Sequence, residues 1–312
     1  MTTRTVRAAG VTHRRSGDDV RVPRLVTGAA STAIRAVLDG PRRDARVLAA
    51  FPLATYVELF GEAEPRVLAL VMPTAVRLPN ALVVPSTAPL DGLYPGMAAQ
   101  VGGGTVRCGP LFAGAARWWA AVPALHPVPP GGLAHAVAEL EAVRAASPHR
   151  PGLARTDGPG ALAGSCAADD LPGAVEQAER VVGLGPGLTP SGDDFLSGLL
   201  LALRLLGDAV RRADGPPGGD AAVRLADWIG AAVTCDASTR TTALSATLLH
   251  CAASGEASGE VAAVLRALAR PGAEGLTVAV CRLLATGHTS GADLAWGVAA
   301  GCQAVLTLAR AA

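Results

Sequence analysis

The chain has 312 residues, half of them hydrophobic and 17% charged, a balance that supports a globular fold with a sizeable core and excludes a disordered chain. Its 27 basic residues are all arginine and face 26 acidic ones, so the net charge is +1 and no large one-signed field gathers DNA or RNA. The lack of lysine excludes Schiff-base and pyridoxal-phosphate chemistry and a Walker A phosphate loop, each of which needs that amine.

Residues 1–24 carry Arg4, Arg7, Arg14, Arg15, Arg21 and Arg24 against Asp18 and Asp19, and read as a flexible, solvated basic tail. They contain no apolar run of the secretory type. The six cysteines, at 108, 166, 235, 251, 281 and 302, form no C-x-x-C pair, so neither a zinc ribbon nor a dithiol redox motif is indicated. A cytoplasmic protein with reduced thiols is the expectation.

Residues 25–125 read as a β-rich domain. The runs 46–51, 66–72 and 81–85 are short, apolar and punctuated by proline, as in a small antiparallel barrel or sandwich. The Gly102-Gly103-Gly104 stretch reads as a turn between two more strands. The segment 112–122, with Trp118 and Trp119, reads as a short helix, and 123–132 as a Pro/Gly-rich boundary.

From about 130 to 312 the texture becomes helical. Segments at 133–146, 173–182, 192–212, 220–234, 240–253, 257–269, 274–286 and 291–311 have helical spacing between Gly, Pro, Ser or Thr. Residues 148–172 read as a connection. The fold class expected is therefore α+β, a small antiparallel β domain followed by a mainly α-helical one. The most apolar run, 195–206, is too short to span a bilayer and carries Arg204, so no membrane partner is expected.

The densest signal is Val182-Gly-Leu-Gly-Pro-Gly-Leu-Thr-Pro-Ser-Gly-Asp-Asp194. Glycines at 183, 185 and 187 let a backbone approach a ligand closely, and the loop feeds a helix start. That is a geometry for an anion, since free N–H groups and the helix dipole point at it. Part of it recurs 99 residues later: Ser191-Gly-Asp-Asp-Phe-Leu-Ser-Gly198 aligns with Ser290-Gly-Ala-Asp-Leu-Ala-Trp-Gly297. The repeat predicts a pseudo-symmetric pair of helices. A second reading competes for the same donors. Ser191 with Asp194, and Ser290 with Asp293, each satisfy a capping box, and the second glycine of each copy allows close helix packing.

Two further segments join these candidates. Ser238-Thr-Arg-Thr-Thr-Ala-Leu-Ser245 gathers hydroxyls around Arg240, whose guanidinium suits a phosphate or carboxylate, or else simply faces solvent at a helix start. His288 precedes the second copy, where a neutral imidazole can donate to a carbonyl oxygen or rest as a loop residue. No histidine pattern binds a metal, no serine elbow is present, and the capping explanation suffices for two of Asp193, Asp194 and Asp293; no metal and no cofactor is expected.

The segments 183–196 and 287–291, GLGPGLTPSGDDFL and GHTSG, resemble the two signatures of the AllH-type family, formerly a domain of unknown function and linked to oxamate carbamoyltransferase of allantoin and purine catabolism. The helix start Thr242-Ala-Leu-Ser245 is similar to another family segment, whereas the N-terminal half resembles the family only in its short-strand texture. The resemblance implies carbamoyl transfer among carbamoyl phosphate, oxamate, oxalurate and phosphate by an assembly of several different subunits. The substrate would then be a small anion such as carbamoyl phosphate, phosphate or an oxamate-like carboxylate. On this reading Gly185, Gly187, Leu188, Ser191, Gly192, Asp194, Arg240, Thr242, Ser245, Thr289, Ser290, Gly291 and Asp293 bind substrate. His288 or Thr189 donates to the carbonyl oxygen, and Asp193 accepts a proton. The reaction needs no lysine, thiolate or metal. Alternatives are a non-catalytic anion-binding subunit, a scaffold subunit whose helices are only capped and packed, and a Mg²⁺-dependent phosphotransferase.

Overall fold

The computed structural model describes residues 24–311 except 62, 63, 87, 89, 215–217 and 273. The basic tail expected over 1–24 lies outside the described residues apart from Arg24. Eight strands come first: β1 (Leu25–Ser31), β2 (Arg43–Ala50), β3 (Ala54–Leu59), β4 (Val67–Val71), β5 (Ala81–Val83), β6 (Ala98–Gly102), β7 (Thr105–Cys108) and β8 (Leu111–Trp119). A short helix, α1 (Arg35–Asp39), joins β1 to β2. The strands close into a barrel in the order β1-β5-β4-β3-β2-β6-β7-β8, with β8 returning to β1.

Two features depart from the sequence reading. The barrel is mixed rather than purely antiparallel, because β4 runs parallel to β5 and β1 parallel to β8. Parallel neighbours need a crossing connection instead of a tight turn. Residues 72–80 supply one between β4 and β5, and β1 and β8 are the two chain ends of the barrel. The segment 112–122 is not helical: it is mostly strand β8, paired with β7 on one side and β1 on the other. Cross-strand pairing outweighs the helical tendency of its alanines. Its tryptophans stack under arginine, with the Arg35 guanidinium 4.4 Å from the Trp118 ring and that of Arg77 5.3 Å from Trp119. Alternation along the strands turns Ala45, Val47, Val57, Leu59, Val101 and Val106 into the barrel core, where they are buried with Ile34 and Leu38.

The helices follow as α2 (Pro130–Ala146), α3 (Gly158–Ala167), α4 (Leu171–Val181), α5 (Ser191–Asp214), α6 (Gly218–Cys235), α7 (Ala237–Arg240), α8 (Ala243–Ala253), α9 (Gly259–Leu268), α10 (Leu276–Leu284) and α11 (Ser290–Ala311). Helix α3 lies inside the stretch expected as a connection; its glycines and Pro159 hid it, although proline in a first turn costs a helix nothing. The expected 240–253 helix divides at Thr241, because Thr242 caps α8 by accepting from Ser245 N.

Helices α5 and α11 form the centre of the helical core. They touch backbone to backbone where the repeat places glycine. A Cβ on Gly297 would stand 2.0 Å from the Phe195 carbonyl oxygen, and one on Gly198 2.2 Å from that of Leu294. Phe195 and Trp296 meet edge-on beside this crossing, ring centres 5.1 Å apart. Among the described residues α11 is long and apolar enough to cross a membrane, and 72% of that apolar stretch is buried within the bundle.

Barrel and helices are joined by hydrogen bonds. Val67 N donates to Thr247 Oγ1 at 3.1 Å, Ala257 N to Ala121 O at 3.0 Å, and Gly259 N to Arg77 O at 2.9 Å. These tie the barrel to α8 and to the start of α9.

Candidate functional site

The glycine-rich loop 183–190 connects α4 to α5. Gly183, Gly185 and Gly187 all have left-handed φ, at 74°, 109° and 100°, so the sequence Gly-x-Gly-x-Gly is what permits this path. Asp193 holds the loop in place. Its carboxylate accepts from Gly183 N at 2.7 Å, from Ser245 Oγ at 2.7 Å and from Thr241 Oγ1. Thr242 makes a second tie, donating to the Leu188 carbonyl at 2.5 Å while capping α8. The segment 238–245 is thereby fastened to the loop.

The second copy meets the first through crossed hydroxyl pairs. Thr189 Oγ1 lies 3.1 Å from Ser290 Oγ, and Ser191 Oγ lies 3.4 Å from Thr289 Oγ1. The three segments singled out in the sequence, 183–194, 238–245 and 287–293, therefore come together. The capping boxes do not form as expected. Helix α5 starts one residue earlier, with Asp193 N and Asp194 N bonded to Pro190 O, and Asp293 N bonded to Thr289 O. The serine hydroxyls turn to the opposite copy instead of back along their own helix.

Two triads result, related by the pseudo-symmetry of the repeat. Asp194 sits with Thr189 and Ser290; Asp293 sits with Thr289 and Ser191. Both carboxyls are buried, and each keeps its Oδ2 without a hydrogen-bond partner. Burial pushes Asp194 well above the usual carboxylate range; the hydroxyls of Ser290 and Thr189 oppose the shift, and the negative charges of Asp293 and Asp193 add to it. Burial also raises Asp293, against the pull of Ser191, the Gly152 amide and Thr289.

The first triad opens on a cavity that Ser191, Thr289 and Asp293 do not line. A cleft of about 650 Å³ runs between the barrel and the helices. Barrel residues Phe51, Leu53, Tyr56 and Leu78 form one wall, and Leu188, Leu201, Leu244 and Leu294 the other. Its polar residues include Thr189, Asp194, Ser197, Ser290 and Glu256. Burial raises Glu256, with Cys251 beside it pulling the other way, and raises Tyr56 as well. Among the described lining residues there is no arginine. An apolar cleft with a few convergent polar groups and a perturbed acid is the usual form of a small-molecule site.

The sequence candidates distribute as follows. Leu188, Thr189, Asp194 and Ser290 line the cleft. Ser191, Gly192, Thr242, Ser245, Thr289, Gly291 and Asp293 lie outside the lining, and Gly185 and Gly187 are exposed on the loop. A Cβ on Gly192 or on Gly291 would stand 2.0 Å from a carbonyl oxygen, of Val181 or Leu283, so both are packing glycines. Asp193 is a brace whose oxygens are already bonded, and it does not line the cleft. Arg240 also lies off the cleft; its guanidinium donates to the Glu179 carbonyl and pairs with Asp236 at 3.5 Å. His288 is exposed and outside the lining. The sequence reading missed Ser197, which follows Asp194 by three residues on one helix face, and could have been found from that spacing. It also missed Glu256 and the barrel wall, for which no local pattern exists.

No curated protein and no solved structure matches the chain. A protein-family model does match part of it, from the end of α4 into α11, a span that holds both loops, Asp194 and α8 but excludes the barrel. Residues 181–302 thus match the family described as oxamate carbamoyltransferase subunit AllH.

Proposed function

We propose that the chain is the part of a carbamoyltransferase that holds the oxamate-type partner of the reaction, with transfer taking place at the Asp194 end of the cleft. The single observation that supports this reading most is that the family-matched segments meet around a buried carboxyl that faces an apolar cavity.

In the direction of oxalurate phosphorolysis, a phosphate oxygen attacks the ureido carbon and forms the C–O bond. The C–N bond breaks, its electron pair goes to nitrogen, and that nitrogen takes a proton from Asp194. Phosphate returns the proton. Asp194 is suited to this step because burial favours the protonated form of its carboxyl. Thr189 and Ser290 flank the carboxyl, and the walls of the cleft are mainly apolar. Asp193 takes no part in this step. In the reverse direction Asp194 receives the proton from the attacking amide.

The cleft lining described here supplies acids and hydroxyls, not a cation for phosphate. The phosphate-binding arginine on this reading belongs to another subunit, in keeping with a family named for a subunit. The test is to isolate the native assembly through a tag on this chain and supply oxalurate with phosphate. Formation of oxamate and carbamoyl phosphate in equal amounts is expected. An assembly that binds other subunits but forms neither product would overturn the reading.

A further inference from the structure

The repeat built two triads, and they differ in what they hold. At the Asp293 triad, the chain's own backbone fills the site: Gly152 N donates to Asp293 Oδ1 at 2.9 Å. The fit is close. A Cβ on Gly152 would stand 2.1 Å from Ser191 Oγ and 3.5 Å from Asp293 Oδ2, so the backbone itself rests against the serine and the acid of that triad. Ser191, Thr289 and Asp293 accordingly line no part of the cleft. At the Asp194 triad, no backbone amide of the described residues reaches the acid. Asp194 is 6% exposed and its Oδ2, like that of Asp293, has no partner, but here Thr189, Asp194 and Ser290 all line the cleft.

We propose that the Thr189–Ser290–Asp194 triad is a receptor for the N–H edge of an uncharged amide or ureido group, and that the Thr289–Ser191–Asp293 triad is the same receptor permanently filled by the amide of Gly152. The inference deepens the reading above and rests on it for the choice of site. It fixes the orientation of the ligand: the amide end enters towards Asp194, and any carboxylate end points away.

The chemistry of the cleft favours the same orientation. A carboxyl accepts an N–H whether or not it carries its proton, so the amide is suited to both states. A carboxylate brings no N–H to this edge, and a carboxylate or phosphate carries its negative charge into a cleft whose lining holds Asp194 and Glu256 and no cation to offset it. A site built to hydrogen-bond an N–H also rejects an analogue that lacks it, because the buried acceptor is then left unpaired.

The experiment is calorimetric titration of the isolated full chain with oxamate, N,N-dimethyloxamate, oxalate and inorganic phosphate. Oxamate is expected to bind, and the dimethyl analogue, oxalate and phosphate to bind at least about tenfold more weakly. Asp194→Ala is expected to lose oxamate binding by a similar factor. Asp293→Asn, which keeps an oxygen acceptor for Gly152 N, is expected to stay within about twofold of the unaltered chain. The ligand series on the unaltered chain decides the matter even if Asp194→Ala does not fold. Equal binding of oxamate and its dimethyl analogue, preference for oxalate or phosphate, or no binding of oxamate would each overturn the proposal. These outcomes are separable from the fate of the carbamoyl-transfer reading. Amide-selective binding without turnover by the assembly leaves the receptor and removes that reading; turnover without amide selectivity does the reverse.

Discussion

Replacing Gly297 by alanine tests whether the repeat exists to bring α5 and α11 into backbone contact. The added Cβ would lie 2.0 Å from the Phe195 carbonyl oxygen, whereas an ordinary C···O approach is about 3.3 Å. The helices must separate locally by roughly 1.3 Å, and the neighbouring atoms are backbone, which cannot rotate aside. Overpacking of this kind costs about 1–3 kcal/mol. The gain of about 0.8–1 kcal/mol in helix propensity from losing a glycine offsets part of it. Gly160→Ala in α3 is the matched control, since nothing lies within 4 Å of a Cβ there and only the propensity gain remains. Urea denaturation followed by circular dichroism is expected to show Gly160→Ala stabilised by about 0.5–1 kcal/mol and Gly297→Ala destabilised, by about 1–2 kcal/mol net. Gly198→Ala, 2.2 Å from the Leu294 oxygen, is expected to behave alike, and the double variant to cost less than the sum because one separation relieves both clashes. Gly297→Ala as stable as Gly160→Ala would refute the close-contact argument.

Other consequences can be measured on the same protein. Asp193→Ala strands the Gly183 amide and the Thr241 and Ser245 hydroxyls, and is expected to lose about 3 kcal/mol or more in denaturant titration. Arg240→Ala and His288→Ala remove groups that lie off the cleft, so oxamate affinity of the isolated chain is expected within about twofold of the unaltered protein by calorimetry. The pH dependence follows from the two raised acids. Their folded pKa values exceed the ordinary value of 3.8, so the folded chain holds more protons than the unfolded one above that pH. The stability they contribute is fully present below about 3.8 and is lost as pH rises through their folded values. Asp194→Asn is therefore expected to show a smaller fall in thermal midpoint than the unaltered chain as pH is raised towards neutrality; parallel curves would contradict the burial of an ionisable Asp194.

Much of the helical region was legible because its signals are local. Helical spacing located α2, α5, α6, α9, α10 and α11, and the Ser-Gly-x-Asp repeat located the pair that forms the centre of the helical core. What the repeat does was half legible. The second glycines serve close packing, as one of the two readings held, but the serines cross to the other copy instead of capping their own helix. That choice depends on how the two helices approach, which no single helix records. The Phe112–Trp119 stretch misled because its alanines favour a helix in isolation, and only β1 and β7 on either side make it a strand. The roles of Arg240 and Asp193 are not legible in their local sequence or in the family resemblance. Whether an arginine is free or already bonded to a carbonyl, and whether an acid is a base or a brace, is decided by partners distant in sequence: Glu179 for the first, Gly183, Thr241 and Ser245 for the second. Glu256 and the barrel wall of the cleft had no signal, since they become a site only when the barrel sits over α5, α8 and α11.

If Asp194 supplies the proton in carbamoyl transfer, removing that proton must slow turnover. The most direct measurement is the turnover of oxalurate and phosphate by the native assembly carrying Asp194→Asn, beside the unaltered assembly and one carrying His288→Ala. Asp194→Asn is expected to lose about a hundredfold or more in kcat, the scale of a lost general acid, and His288→Ala to turn over near normally. Full turnover with Asp194→Asn, in an assembly that still folds and keeps its subunits, would contradict that role for Asp194.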